Sequence, residues 1–233
     1  MALDGSVLRG VSGEKLMFVG HYATALAAKA IEPRAPLWTL VAGAQLVDIG
    51  WSALLMAGVE KVRFDPTLPG SPLDLYYMPW THSLPAAVVW SVGAVLLCRL
   101  LLRLPLRAAI AVGLVVFSHW VLDWLVHRPD LELWFGGQKV GLGLWNFPVP
   151  EATLEMGLIA IAGGAWLWSR GAWGRSAWPP LLFITFLVAL QIFAGLTEPT
   201  GSMAAYGRTA LIVYLVVTAL AALADLGKSK AQA

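Results

Sequence analysis

Apolar positions along the chain gather into seven long runs, near 15–31, 36–59, 83–104, 106–127, 151–169, 178–196 and 204–224. A membrane-spanning helix needs about 17–25 mostly apolar residues, and each run falls in or near that range. The breaks carry turn-forming residues: "EPRAP" at 32–36, "DPTLPGSP" at 65–72, Pro105, and "EPTGS" at 198–202. Clusters of Pro and Gly between periodic segments mark loops. The pattern predicts an all-α fold, a polytopic bundle of about seven transmembrane helices forming one transmembrane domain over 1–233. No internal repeat and no soluble domain stand out.

Composition supports a lipid environment. Of the 233 residues, 58% are hydrophobic and only 13% are charged, about half the charged share of a soluble domain. The net charge of +2 is small, and Lys and Arg form no basic block. That argues against a nucleic-acid partner. The single cysteine, Cys98, permits no intramolecular disulfide. Seven spans put Lys29, Arg34, Arg99, Arg103, Arg107, Arg170, Arg175, Lys228 and Lys230 on one side, nine of the 16 Lys and Arg. The other side's seven are diluted by Glu60, Asp65, Asp74, Asp130 and Glu132. Positive charge favours the cytoplasmic side, so the expected N-terminus is outside and the C-terminus cytoplasmic. Tyr76, Tyr77, Trp80, Trp134 and Trp145 would mark the outer interface, and Trp38, Trp168, Trp173 and Trp178 the inner one.

Against this background, "SHWVLDWLVHRPD" at 118–130 is unusual. His119, Asp123 and His127 follow one another at four-residue steps, a net offset of about 40° on a helix, so they share one stripe. Asp48 sits roughly 16 Å below the outer end of its run, His119 about 12 Å, His21 about 9 Å, and Asp123 and Glu155 about 6 Å. His82 and His127 lie near the mouth. All four histidines thus fall in the outer half. A charge at the bilayer centre costs at least about 2.5–3.5 kcal/mol, and such residues turn inward and pair. Histidine and carboxylate together suit zinc or another divalent metal.

About 12 Å of helix rise separates His119 from His127, too far for both to bind one ion at about 2.0–2.1 Å. The stripe therefore suits one deep metal at His119 and Asp123, or two metals with Asp123 near both. Pro79 and Pro85 bend "YYMPWTHSLPA" so that His82 could dip inward, with Thr81 and Ser83 as hydrogen-bonding support.

These motifs resemble those of the LexA-binding, inner-membrane-associated hydrolases, also called membrane-bound metal-dependent hydrolases. The resemblance rests on His21 in "GHYATAL", Asp48 in "QLVDIG", "THS" at 81–83, and His119 with Asp123 in "SHWVLD". It covers about 16–127, the expected metal-site core, and leaves the helices of 151–224 without a motif. The family's Pro-Asp-x-Asp is Val47-Asp48-Ile49-Gly50 here, and the His-Arg that often precedes Thr-His-Ser is Tyr77-Met78. The resemblance implies an integral protein of a bacterial inner (plasma) membrane. It also implies a divalent cofactor held by His21, Asp48, His82, His119 and Asp123.

The chemistry expected of such a site is hydrolysis by activated water, because a bound cation acidifies water. Asp123 or Glu155 is the candidate general base, and His127 or His82 the candidate proton donor. Ser83 is the covalent alternative. Arg128 and Lys139 could reach a phosphate, or simply face solvent. The loop 134–147 reads as a flexible interfacial lid anchored by Trp134, Phe135, Trp145 and Phe147. The expected substrate is a lipid or lipid-linked ester or phosphoester, with membrane lipids as surroundings. Two other classes stay open: a non-enzymatic subunit of a larger membrane complex, and a transporter or proton relay. A homo-oligomer is equally open.

Overall fold

The computed structural model describes residues 19–172, 174–196 and 202–225. The start of the first run (15–18), Trp173, Lys228 and Lys230 lie outside them. Each apolar run becomes helix. They are α1 (Gly20–Ile31), α2 (Leu37–Ala44), α3 (Leu46–Met56), α4 (Leu84–Leu100), α5 (Leu106–Val126), α6 (Pro148–Ala172), α7 (Trp178–Ala194) and α8 (Met203–Ala224).

The expectation of about seven spans is not supported. Among the described residues, only α5 and α8 are long and apolar enough to cross a membrane, or three spans if α2 and α3, bent by 50° at Gln45, count as one. At 1.5 Å per residue, the 17-residue α4 and α7 reach about 26 Å, short of an apolar layer of about 30 Å. The 25-residue α6 has the length but carries Glu151, Glu155 and Arg170. The runs 83–104 and 178–196 took in apolar residues flanking the helices, which made α4 and α7 look longer than they are.

The all-α expectation fits, since eight helices make up most of the described chain, with two short hairpins added. Strands β1 (Lys61–Phe64) and β2 (Leu73–Tyr77) form one antiparallel hairpin, and β3 (Leu131–Glu132) and β4 (Lys139–Val140) a second. They occupy two of the connections assigned to loops. A 3-10 turn, Leu144–Asn146, leads into α6.

Local sequence explains several boundaries. Ser83 caps α4 by accepting from Ala86 N at 3.2 Å, and Pro85 sits in the first turn, where a missing N–H costs nothing. Helix α5 ends at His127, whose backbone turns extended. Pro129 follows, and a residue before proline avoids helical geometry. Gly113 lets α5 approach α4: a Cβ there would run into the Val95 side chain.

The main core gathers Tyr22, Leu26, Leu40, Val112, Val116, Trp166 and Leu187 between α1, α2, α5, α6 and α7. A second apolar cluster, with Trp51, Leu73, Met78, Leu122, Val126 and Trp145, lies under the two hairpins. The donor residues of the site fall between these clusters. Away from it, Lys29 is buried and donates to Pro33 O, Ala35 O and Asp225 Oδ2. Arg170 is buried as well. Two of the nine positive charges used for orientation are therefore held inside the protein.

Candidate metal centre

Four elements deliver the donors. His21 comes from the first turn of α1, Asp48 from the first turn of α3, His82 from the turn before α4, and His119 and Asp123 from α5. His21, His119 and Asp123 form one group that could hold a metal ion, and Asp48, His82 and His119 form another. Together these are the five residues expected as ligands from the sequence. All but Asp48 are almost wholly buried.

The contacts close into a ring. His82 Nε2 lies 3.3 Å from Asp48 Oδ1 and 3.5 Å from Asp123 Oδ2. His119 Nε2 lies 3.6 Å from that Asp48 oxygen and 3.2 Å from that Asp123 oxygen. Bonds of about 2.0–2.1 Å to a tetrahedral ion put neighbouring donors about 3.3–3.4 Å apart. The four sides are close to that value, and the donors fall into two groups that share His119.

The outer faces of the rings fix which nitrogen points inward. His119 Nδ1 is 2.8 Å from Ala44 O, a carbonyl at the α2–α3 bend. A carbonyl can only accept, so Nδ1 carries a proton, and in the neutral ring Nε2 keeps its lone pair. His82 Nδ1 is 2.7 Å from Thr81 Oγ1, whose hydroxyl donates to Glu60 Oε2 at 2.7 Å. That hydroxyl accepts from His82, and Nε2 is again the free acceptor. Glu60 also accepts from Trp80 N and Thr81 N, and burial raises its carboxyl above the ordinary value. With both imidazoles neutral, their Nε2 lone pairs face carboxylate oxygens; with a second proton, the same contacts are ion pairs. His119 Nε2 and Asp123 Oδ2 are buried with no hydrogen-bond partner. A cation would take the place of such protons, and histidines braced through their other nitrogen are the usual metal ligands.

The second carboxylate oxygen, Asp123 Oδ1, is 3.0 Å from His21 Nε2 and 3.5 Å from His127 Nε2. His127 belongs to neither donor group; its Nδ1 is 2.9 Å from Asp130 Oδ1. The His21 ring stacks on His119 at 3.9 Å between centroids. Tyr214 of α8 donates to Asp48 Oδ2 at 3.2 Å. Glu155 is buried on α6 and lines neither the donor groups nor the adjoining cavity.

Other expected roles change. Ser83 donates to Pro79 O and caps α4, which accounts for its hydroxyl without catalysis. Arg128 is bonded to Asn146 Oδ1, Leu73 O, Pro69 O and Ser71 O, so it fastens the two outer segments rather than facing a phosphate. Lys139 donates to Tyr76 O. Trp145, expected at the interface, is buried with its ring 4.0 Å from that of His127, whereas Trp134, Phe135 and Phe147 are exposed. The 134–147 loop contains β4 and the 3-10 turn, and it is fastened at Gly143, whose N–H donates to His127 O.

Sequence reasoning missed Ala44 O, Glu60, Asp130 and Tyr214. Of the two residues foreseen as support, Thr81 holds His82 and Ser83 instead caps α4. Compared with known protein families, curated proteins and solved structures, the chain matches none, and the motif resemblance stands on its own residues.

Proposed function

We propose that this chain is a zinc-dependent hydrolase of a bacterial inner membrane, related to the LexA-binding membrane hydrolases and acting on a lipid or lipid-linked ester or phosphoester. The observation that carries the reading is the ring of four inward-facing donors, Asp48 Oδ1, His82 Nε2, His119 Nε2 and Asp123 Oδ2, with sides of 3.2–3.6 Å. A divalent cation bound there supplies a Lewis acid and lowers the pKa of water.

The chain's own groups do the rest. Asp48, His82, His119 and Asp123 hold the ion, with His21 against the remaining Asp123 oxygen. Asp130 holds the His127 ring by Nδ1, leaving Nε2 able to take a proton and return it to the leaving group. Trp145 over His127 and the apolar cluster beneath the hairpins keep bulk water away. In this reading α5 and α8, with the bent α2–α3 pair, cross the bilayer and the shorter helices pack around them. The site lies in the outer half, with the N-terminus outside.

The test uses protein purified without chelator. Elemental analysis should find bound zinc or a similar divalent ion. A total lipid extract incubated with the protein should yield products, seen by mass spectrometry, that disappear with chelator and in Asp123→Asn. Turnover that survives both would overturn the mechanism. Metal-free protein would favour a structural polar cluster in a non-enzymatic subunit.

A further inference from the structure

A cavity of about 230 Å³ opens directly off the donor ring. Its lining combines the ion-binding groups Asp48, His82 and Asp123 with apolar side chains of α7 and α8, Leu190, Phe193, Ala210 and Val213. One cavity thus offers both ion-binding groups and hydrocarbon, with Thr209 and Tyr214 of α8 among them. Phe193 lines the cavity yet is 64% exposed, so the wall reaches the outer surface at the C-terminal end of α7. Thr209, on the α8 side, is likewise both lining and exposed.

Exposed apolar side chains flank that opening, Ile212, Leu215 and Val216 on α8 and Ile192 on α7, with Arg208 exposed beside Thr209. Helix α8 is also one of the two helices long and apolar enough to span a membrane. An opening placed among such residues admits a molecule from hydrocarbon rather than from water. The volume limits what fits. Drug-sized pockets run to about 300–1,000 Å³, so this cavity is small. A small, partly apolar cavity suits one slender chain better than a bulky group.

We propose that the cavity receives a single acyl chain, entering sideways between the C-terminal end of α7 and the N-terminal half of α8, with its polar head at the His/Asp ring. The proposal rests on the hydrolase reading for the chemistry at the His/Asp ring, and it narrows the substrate class to amphiphiles that present one chain. A two-chain lipid would keep its second chain in the bilayer.

The test is photolabelling in phosphatidylcholine nanodiscs doped with a long-chain fatty acid carrying a diazirine on its chain. Trp51, Leu75 and Met78 line the cavity but are buried, so bulk lipid does not reach them. Val89 and Leu96 on α4 are exposed and report bulk lipid. Peptide mass spectrometry should find adducts on the buried set as well as on α4. Ala210→Trp, which fills the cavity from its α8 wall, should remove the buried adducts and leave both the α4 adducts and the metal content unchanged. Val213→Phe repeats the test should Ala210→Trp fail to fold. Adducts confined to exposed faces, or buried adducts indifferent to both substitutions, would overturn the proposal. Metal content separates the two ideas: metal-loaded protein without buried adducts sinks the chain site, and labelled protein without metal supports the chain site while sinking the hydrolase.

Discussion

His119 Nε2 and Asp123 Oδ2 face each other at 3.2 Å, one turn apart on α5, and neither has a hydrogen-bond partner. Ala44 O holds the proton of that imidazole on its far side. With that ring neutral, two acceptors meet across this gap, and a cation between them would bind both.

Metal retention should follow from this pair. His119→Ala and Asp123→Ala each remove a member of the ring and should lose most bound metal by elemental analysis. His127→Ala should lose less, because its Nε2 approaches only Asp123 Oδ1, at 3.5 Å. Equal loss in all three would show that His127 is itself a ligand.

Thr81 and Ser83 flank the same histidine and should behave oppositely. Thr81→Val takes away the acceptor for His82 Nδ1, and loss of such a partner weakens metal affinity about 10–100-fold. Ser83→Ala should leave metal affinity alone and cost about 0.5–2 kcal/mol as a lost helix cap. Competition with a chromogenic chelator measures the first and thermal unfolding the second. A metal defect in Ser83→Ala would return that hydroxyl to the site.

Arg128 ties the segment before β2 to the turn before α6 through four acceptors. Arg128→Ala should lower stability by about 1–3 kcal/mol, since four acceptors, three of them in partly buried bonds, lose their donor. Arg128→Lys should not restore it, because an ammonium cannot reproduce the planar fork. Gly141→Ala should also destabilise: a Cβ there would press on the backbone carbonyls of His127 and Arg128. The readout is thermal unfolding with the protein in detergent.

Orientation can be read with single cysteines in a Cys98→Ala background. Thr67 in the first hairpin and Gly171 at the end of α6 are both exposed. Thr67→Cys should react with a membrane-impermeant thiol reagent from outside intact cells and Gly171→Cys should not. The reverse pattern would place the centre on the cytoplasmic side.

The five donors were legible because histidine and carboxylate stand out in apolar runs, where an unpaired charge is costly. What braces them was not. Ala44 contributes a main-chain carbonyl at a helix bend, and no side chain announces it. Glu60 and Asp130 looked like solvated loop charges until the hairpins placed Glu60 under Thr81 and the end of α5 placed Asp130 against His127. Tyr214 meets Asp48 across 166 positions, a separation no local pattern encodes. Helix positions were readable from the apolar runs, but their true lengths, and the bend at Gln45, depend on tertiary packing.

His21 meets Asp123 across 102 positions of the chain. Closing a loop of that length costs about 4 kcal/mol of chain entropy. The α4–α5 connection divides the donors, with His21, Asp48 and His82 before it and His119 and Asp123 after it. Neither portion carries a full set. Were the chain expressed as two pieces cut between Leu101 and Pro105, metal would be retained only by the reassembled pair, and the ion would serve as the rivet that makes two fragments one protein.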